Sequence, residues 1–161
     1  MDVGIYCVQG VIYTMGELPT AVTAKFAPKT DHDKFSDVEE GIEWQMEFPN
    51  GLIASCKTSY KEEYNLLKAD AADGWFKLEP AYEYGGLKGE TSDGKMDLVN
   101  INQQAAQMDD FAVCIKNNLD TRVPGEMGAR DVEILVAIYE AARSGKRVEL
   151  HLEGYQQMVE M

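Results

Sequence analysis

Gly41-Ile42-Glu43-Trp44-Gln45-Met46-Glu47-Phe48 (GIEWQMEF, residues 41–48) alternates without a break. Successive side chains of an extended chain point to opposite faces. Ile42, Trp44, Met46 and Phe48 therefore share one face, and Glu43, Gln45 and Glu47 share the other. Pro49-Asn50-Gly51 supplies turn chemistry, and LIASCKTSY (52–60) runs out again, so the stretch reads as a hairpin with one dry and one wet side.

Downstream, YNLLKAD (64–70) and WFKLE (75–79) read as another strand pair around Asp73-Gly74. YEYGGLKGET (82–91) and KMDLVNI (95–101), separated by Ser92-Asp93-Gly94, give one or two more. The period then becomes helical. Met108, Phe111, Ala112 and Ile115 mark an apolar stripe that Asn117-Asn118 ends. In the next helix Val132, Leu135, Val136, Tyr139 and Ala142 recur, Gly145 closes, and RVEL (147–150) is a short last strand. Residues 151–161 are weakly patterned and expected to be poorly ordered. Upstream, TAVTAKFA (20–27) alternates as a strand before a polar loop, PKTDHDKFSD (28–37). A first helix precedes it, with Asp2 as cap, Gly16 as stop and Pro19 beyond.

The order is helix, several antiparallel strands, two helices and one strand. Strand and helix do not alternate, which argues against a doubly wound parallel sheet. The fold class expected is α+β: an open-faced, predominantly antiparallel β-sheet with helices packed on one face. Its other face is expected to carry Trp, Tyr and polar residues, and such a face needs a partner.

The 161 residues fit one domain. A net charge of −13 with no Lys/Arg cluster disfavours nucleic acid and anionic membrane as partners, since both demand positive charge. No apolar run approaches the roughly 20 residues that cross a bilayer. Cys7, Cys56 and Cys114 are widely spaced, with only His32 and His151 to complement them, so no metal site is expected and a reducing, cytoplasmic setting is. Asp31-His32-Asp33, with Glu39 and Glu40 nearby, lacks the spacing of a calcium loop and reads as a solvated turn. Neither a phosphate-binding glycine loop nor a nucleophile elbow occurs.

The first helix stands apart. Ile5, Val8, Ile12 and Met15 form an apolar face suited to a core. Asp2, Tyr6, Gln9 and Tyr13 fall at steps of four, three and four, hence on one face. This stripe reads either as a plain solvated face or as a phenol, Tyr6, held by a carboxylate one turn earlier. A free phenol titrates near pH ~10, too high for a base at neutral pH, unless a cation beside it favours phenolate. The first helix holds no lysine, so that cation would come from elsewhere. Tyr60, Tyr64, Tyr82 and Tyr84 read as strand aromatics or as rings on which a sugar stacks.

The opening Met-Asp-Val-Gly-Ile-Tyr resembles the Asp-x-Gly-x-His/Tyr motif that begins the C-terminal domain of the glucose–fructose oxidoreductase / inositol dehydrogenase (Gfo/Idh/MocA) family. Here the motif falls on Asp2, Gly4 and Tyr6, and tyrosine in the last place is similar to the glucose–fructose oxidoreductase branch. Val38-Glu39-Glu40, Ile42–Phe48, Gly51–Tyr60, Asn102-Gln103 to Asp109, Pro124-Gly125-Glu126, Asp131-Val132 and Ala137–Gly145 extend the likeness over residues 1–150.

The resemblance implies an excised C-terminal domain of a two-domain, nicotinamide-dependent oxidoreductase acting on a sugar or polyol. Residues 1–150 would be the substrate-pocket and oligomerisation domain and 151–161 a tail. The N-terminal Rossmann domain, its glycine run and its Glu-Lys-Pro lysine would lie outside this chain. By the same resemblance Tyr6 and Asp2 are the catalytic candidates, and Tyr60 and Tyr64 could touch substrate. Gln9 and Tyr13 would continue toward the domain junction. NAD or NADP would serve the full-length protein, with none bound to this piece, which alone would be inactive. Homo-oligomers would form through the open sheet face. The alternatives are a stand-alone oligomerisation module and a small carbohydrate-binding protein.

Overall fold

The computed structural model describes residues 3–158. The chain divides into two units, one running to Tyr64 and resuming at Gly125, the other spanning Asn65–Pro124.

The first unit is built on the hairpin. β2 (Gly41–Glu47) and β3 (Ile53–Ser59) pair antiparallel with Trp44 opposite Cys56. Gly51 closes the turn at φ 80°, a left-handed value glycine takes without strain. The Asn50 side chain accepts from the Leu52 amide at 3.0 Å. β1 (Ala21–Phe26) lies on the other side of β2, and the two-residue β8 (Val148–Glu149) completes the order β3-β2-β1-β8. One face is covered by α1 (Gly4–Met15) and α3 (Gly125–Ser144). Val8, Ile12, Val22, Ile42, Trp44, Met46, Ile134 and Ile138 meet there and are buried. Each such side chain stabilises by roughly 1.5–3 kcal/mol on leaving water.

The α+β class, the antiparallel pairing and the one-sided helical cover match the expectation. The aromatic character of the open face does not. Trp44 is buried in the core, and its indole N–H has no hydrogen-bond partner among the described residues. The open face instead carries Thr23, Lys25, Glu43, Gln45, Ser55 and Lys57, placed opposite one another by the strand register and lining a shallow depression of about 620 Å³. Lys25 and Lys57 both reach Glu43, and Arg147 reaches Glu47 and Glu149.

The seam of α3 also differs from the expected one. Arg130, Asp131, Ile134, Ala137, Ile138 and Ala141 are buried, while Val132 and Val136 face outward. The stretch past residue 150 forms a short 3-10 helix (Glu153–Met158), with Leu152 buried and Tyr155 packed against the core.

The second unit holds the sheet β4 (Leu67–Ala71), β5 (Gly74–Leu78), β6 (Gly89–Thr91) and β7 (Gly94–Lys95), antiparallel and in chain order. α2 (Gln103–Asn117) follows, its N-cap Asn102 accepting from the Ala105 amide. Its expected stripe is not a buried one: Met108, Phe111 and Ile115 are exposed, and Cys114 is the buried residue of the helix. No described helix is long and apolar enough to cross a membrane.

Candidate functional site

Among the described residues no side chain caps the start of α1. Its N-cap is Val3, whose side chain has no oxygen to offer the first amides. Asp2 itself lies outside the described residues. The helix ends at Gly16, whose φ of 64° directs its amide to the Ile12 carbonyl at 2.9 Å. Val8 and Ile12 dock α1 on the sheet. Tyr6 is 48% exposed and Tyr13 is 88% exposed, so both phenols are open to solvent on the side opposite the core seam.

The second turn of α1 lies against the end of β3. The Cys7 thiol points at the Lys57 carbonyl oxygen, 3.9 Å away, and burial pushes that thiol up to about 11. Burial also raises the Cys56 thiol, which is thereby kept neutral. The side chain of Lys57 gathers the loop beyond the strand. Its ammonium donates to Glu62 at 2.9 Å and to the Tyr64 hydroxyl at 2.6 Å, and stands 4.5 Å over the Tyr64 ring. Tyr64 in turn donates to Glu62 at 2.5 Å. The bonds to Glu62 and Tyr64 raise Lys57 above the ordinary lysine range, and those from Lys57 and Tyr64 hold Glu62 below the usual carboxylate range. A lysine–phenol pair thus exists in this chain, at Tyr64.

Tyr60 is differently engaged, stacked on Phe35 with centroids 6.0 Å apart and planes at 27°. Nearby, Tyr139 of α3 donates to Glu39 at 2.6 Å. Burial and then that bond raise Tyr139; burial would raise Glu39 too, but the bond from Tyr139 and its other contacts leave it lowered. Glu40 is buried and ties down the acidic loop, accepting from the Thr30 amide and hydroxyl and from the Asp31 amide. Those bonds hold its carboxyl below the usual range. The loop 28–37 is therefore a structural turn.

Two charged residues that local spacing does not single out are the most buried of the unit's described polar side chains. Arg130 and Asp131 are each 1% exposed, and the Arg130 Nε and Nη2 donate to Asp131 Oδ1 at 2.9 and 2.8 Å. The other carboxylate oxygen, Oδ2, accepts from the Gln9 amide of α1. Gln9 therefore faces α3.

The described residues do not fit a dinucleotide. Gly89, behind the Gly85-Gly86 turn, packs against Leu78 and Met96, where a Cβ would already clash. α2 has its Ala105 amide taken by its own cap, and α3 follows Pro124 rather than a glycine loop. Among the described residues no three His, Cys, Asp or Glu gather as metal ligands.

The first unit is thus an antiparallel sheet backed by two helices, with the Tyr6 phenol exposed on the first of them. Residues 1–78 match the family model of the GFO/IDH/MocA C-terminal domain. The particular relatives are oxidoreductases. The aldose–aldose oxidoreductase of Caulobacter crescentus, solved in complex with glycerol, superimposes with a TM-score of 0.85 and 32% identity over 91% of this chain and 46% of its own. The NADP-dependent D-xylose 1-dehydrogenase of Haloarcula marismortui is 26% identical over 157 residues, 93% of this chain and 43% of that protein. The scyllo-inositol dehydrogenase of Lactobacillus casei, solved with NAD(H) and scyllo-inositol, shares the fold at 15% identity and a TM-score of 0.68, over 90% of this chain and 46% of its own. The chain spans about half the length of these relatives.

Proposed function

We propose that this chain is the substrate-side half of a nicotinamide-dependent oxidoreductase acting on a hydroxyl of a sugar or polyol. The observation that carries the reading is Tyr6: it lies in the matched segment and exposes its phenol on the uncovered side of α1. The relatives named above act on an aldose, on D-xylose and on an inositol, which supports a polyhydroxylated substrate.

The other half of the parent protein would hold NAD or NADP, because these residues do not. A nicotinamide bound there supplies the hydride acceptor. This chain's own share of the chemistry is the proton. As hydride leaves the carbon of a secondary alcohol, its O–H proton must go to a base. Tyr6 takes or relays that proton, with Asp2 one turn earlier orienting it. A cation from the other half favours the phenolate; Lys57 is committed to Tyr64 and Glu62. Tyr60 and Tyr64, both half-exposed near the end of β3, offer rings and hydroxyls to the sugar. The isolated chain is inactive, for want of a hydride acceptor.

The open sheet face serves for self-association. Its ion pairs and amide and hydroxyl groups are complementary to a second copy turned over on itself. The free thiols of Cys7, Cys56 and Cys114 support a reducing compartment such as the cytoplasm.

The test is Tyr6→Phe in the full-length parent enzyme. Turnover is expected to fall by roughly 10²–10⁴-fold, the range general acid–base catalysis contributes, with the melting temperature unchanged. Steady-state turnover equal to that of the unaltered enzyme would remove Tyr6 from the mechanism.

A further inference from the structure

A hydrophobic seam fixes the distance between a helix and a sheet better than it fixes rotation about the helix axis, because apolar contact is non-directional. A proton-transfer group must be held to within about 0.5 Å and 10–20°. α1 is twelve residues long and, among the described residues, has no side-chain cap and no charge in its terminal turns that would favour its dipole. A helix of that length is marginal by itself. Something directional has to set its azimuth.

The Gln9–Asp131–Arg130 chain does this. Gln9 and Tyr6 are three residues apart, so they share a helix face and the azimuth of one fixes that of the other. Gln9 is anchored by a charge-assisted bond to a carboxylate that is itself held at two points by Arg130. Burying both ions desolvates them, and an apolar pair of similar volume generally does as well for stability. Stability alone therefore gives no reason for the arrangement, whereas orientation does.

We propose that Gln9, Asp131 and Arg130 form a positioning network that sets the rotation of α1 and so aims Tyr6 at the substrate hydroxyl; this rests on the reading of Tyr6 given above. Gln9→Met in the full-length enzyme keeps the volume and leaves Arg130 paired with Asp131. The turnover number is expected to fall at least tenfold, with KM within about twofold, beside a drop of a few degrees in melting temperature from the unpaired Asp131 oxygen. Gln9→Asn shortens the reach and should cost turnover in the same way. Adding Asp131→Glu, which lengthens it again, should restore most of the loss. Where Gln9→Met does not fold, the Gln9→Asn and Gln9→Asn/Asp131→Glu pair decides on the same criteria.

A lowered melting temperature with unaltered turnover, or no recovery in the double variant, overturns the network. Running Tyr6→Phe beside these separates the two ideas. Loss of turnover there with none in Gln9→Met removes the network alone. Full turnover in Tyr6→Phe removes the reading of Tyr6 and the network with it.

Discussion

Glu39 and Glu40 are consecutive residues with different tasks. Glu39 accepts the Tyr139 hydroxyl from α3, and Glu40 turns inward to hold Thr30 and Asp31. The carboxyl of Glu40 is held below its ordinary value of 4.5, so the folded state binds its proton less tightly than the unfolded chain does. Its stabilising effect is present above that value and is lost as pH falls below it. The midpoint of urea unfolding is expected to drop as pH goes from about 5 toward 3. Glu40→Gln should be less stable at neutral pH and show a shallower acid decline; an equal slope in the two proteins would remove Glu40 from that titration. This role was not visible in the acidic spacing of 31–40, because burial depends on where β2 and the loop meet. The pairing of Gln9 with Asp131 was hidden for a related reason, since 122 residues separate them. Tyr6 could be singled out because its partners in the pattern lie within two helical turns.

The elements follow local periodicity where a face is simply wet or dry. The hairpin 41–60 reads directly because the period of two is unbroken through Phe48 and a glycine supplies the turn. α3 shows where such reading stops. Charged residues count as solvent-facing in any hydropathy pattern, which moved the expected seam to Val132 and Val136. Arg130 and Asp131 neutralise each other, and this lets the helix bury that face instead. α2 has a regular stripe of Met108, Phe111 and Ile115 that is nonetheless exposed. Periodicity states which residues share a face, not whether that face is covered. The contrast is measurable by chemical denaturation. Ile134→Ala, at a fully buried site, is expected to cost about 2–5 kcal/mol. Phe111→Ala in the same chain should change stability by about 0.5 kcal/mol or less, as for other exposed positions. A cost at Phe111 matching that at Ile134 would mean its ring is covered in solution.

At the scale of the whole molecule the chain has the fold of one lobe of an oxidoreductase and half the length of the relatives it matches. Titration of this chain with NAD or NADP in a calorimeter is expected to give no saturable heat, because no described element cradles a pyrophosphate. A dissociation constant in the micromolar range would require a site outside the described residues. The class of fold was legible because it follows from element order; the division into two units was not, since no Pro or Gly marks residues 64–65 and Pro124-Gly125 reads equally as the start of a helix. The mixed charges of the open sheet have a consequence for encounters in solution. A molecule of net charge −13 repels its own kind from nearly every direction. Where Lys25, Lys57 and Arg147 interleave with Glu43, Glu47 and Glu149, the outward potential largely cancels. Two copies meeting as proposed above would face the least repulsion on that side, and the difference would fade as dissolved salt shortens the reach of the surrounding charge.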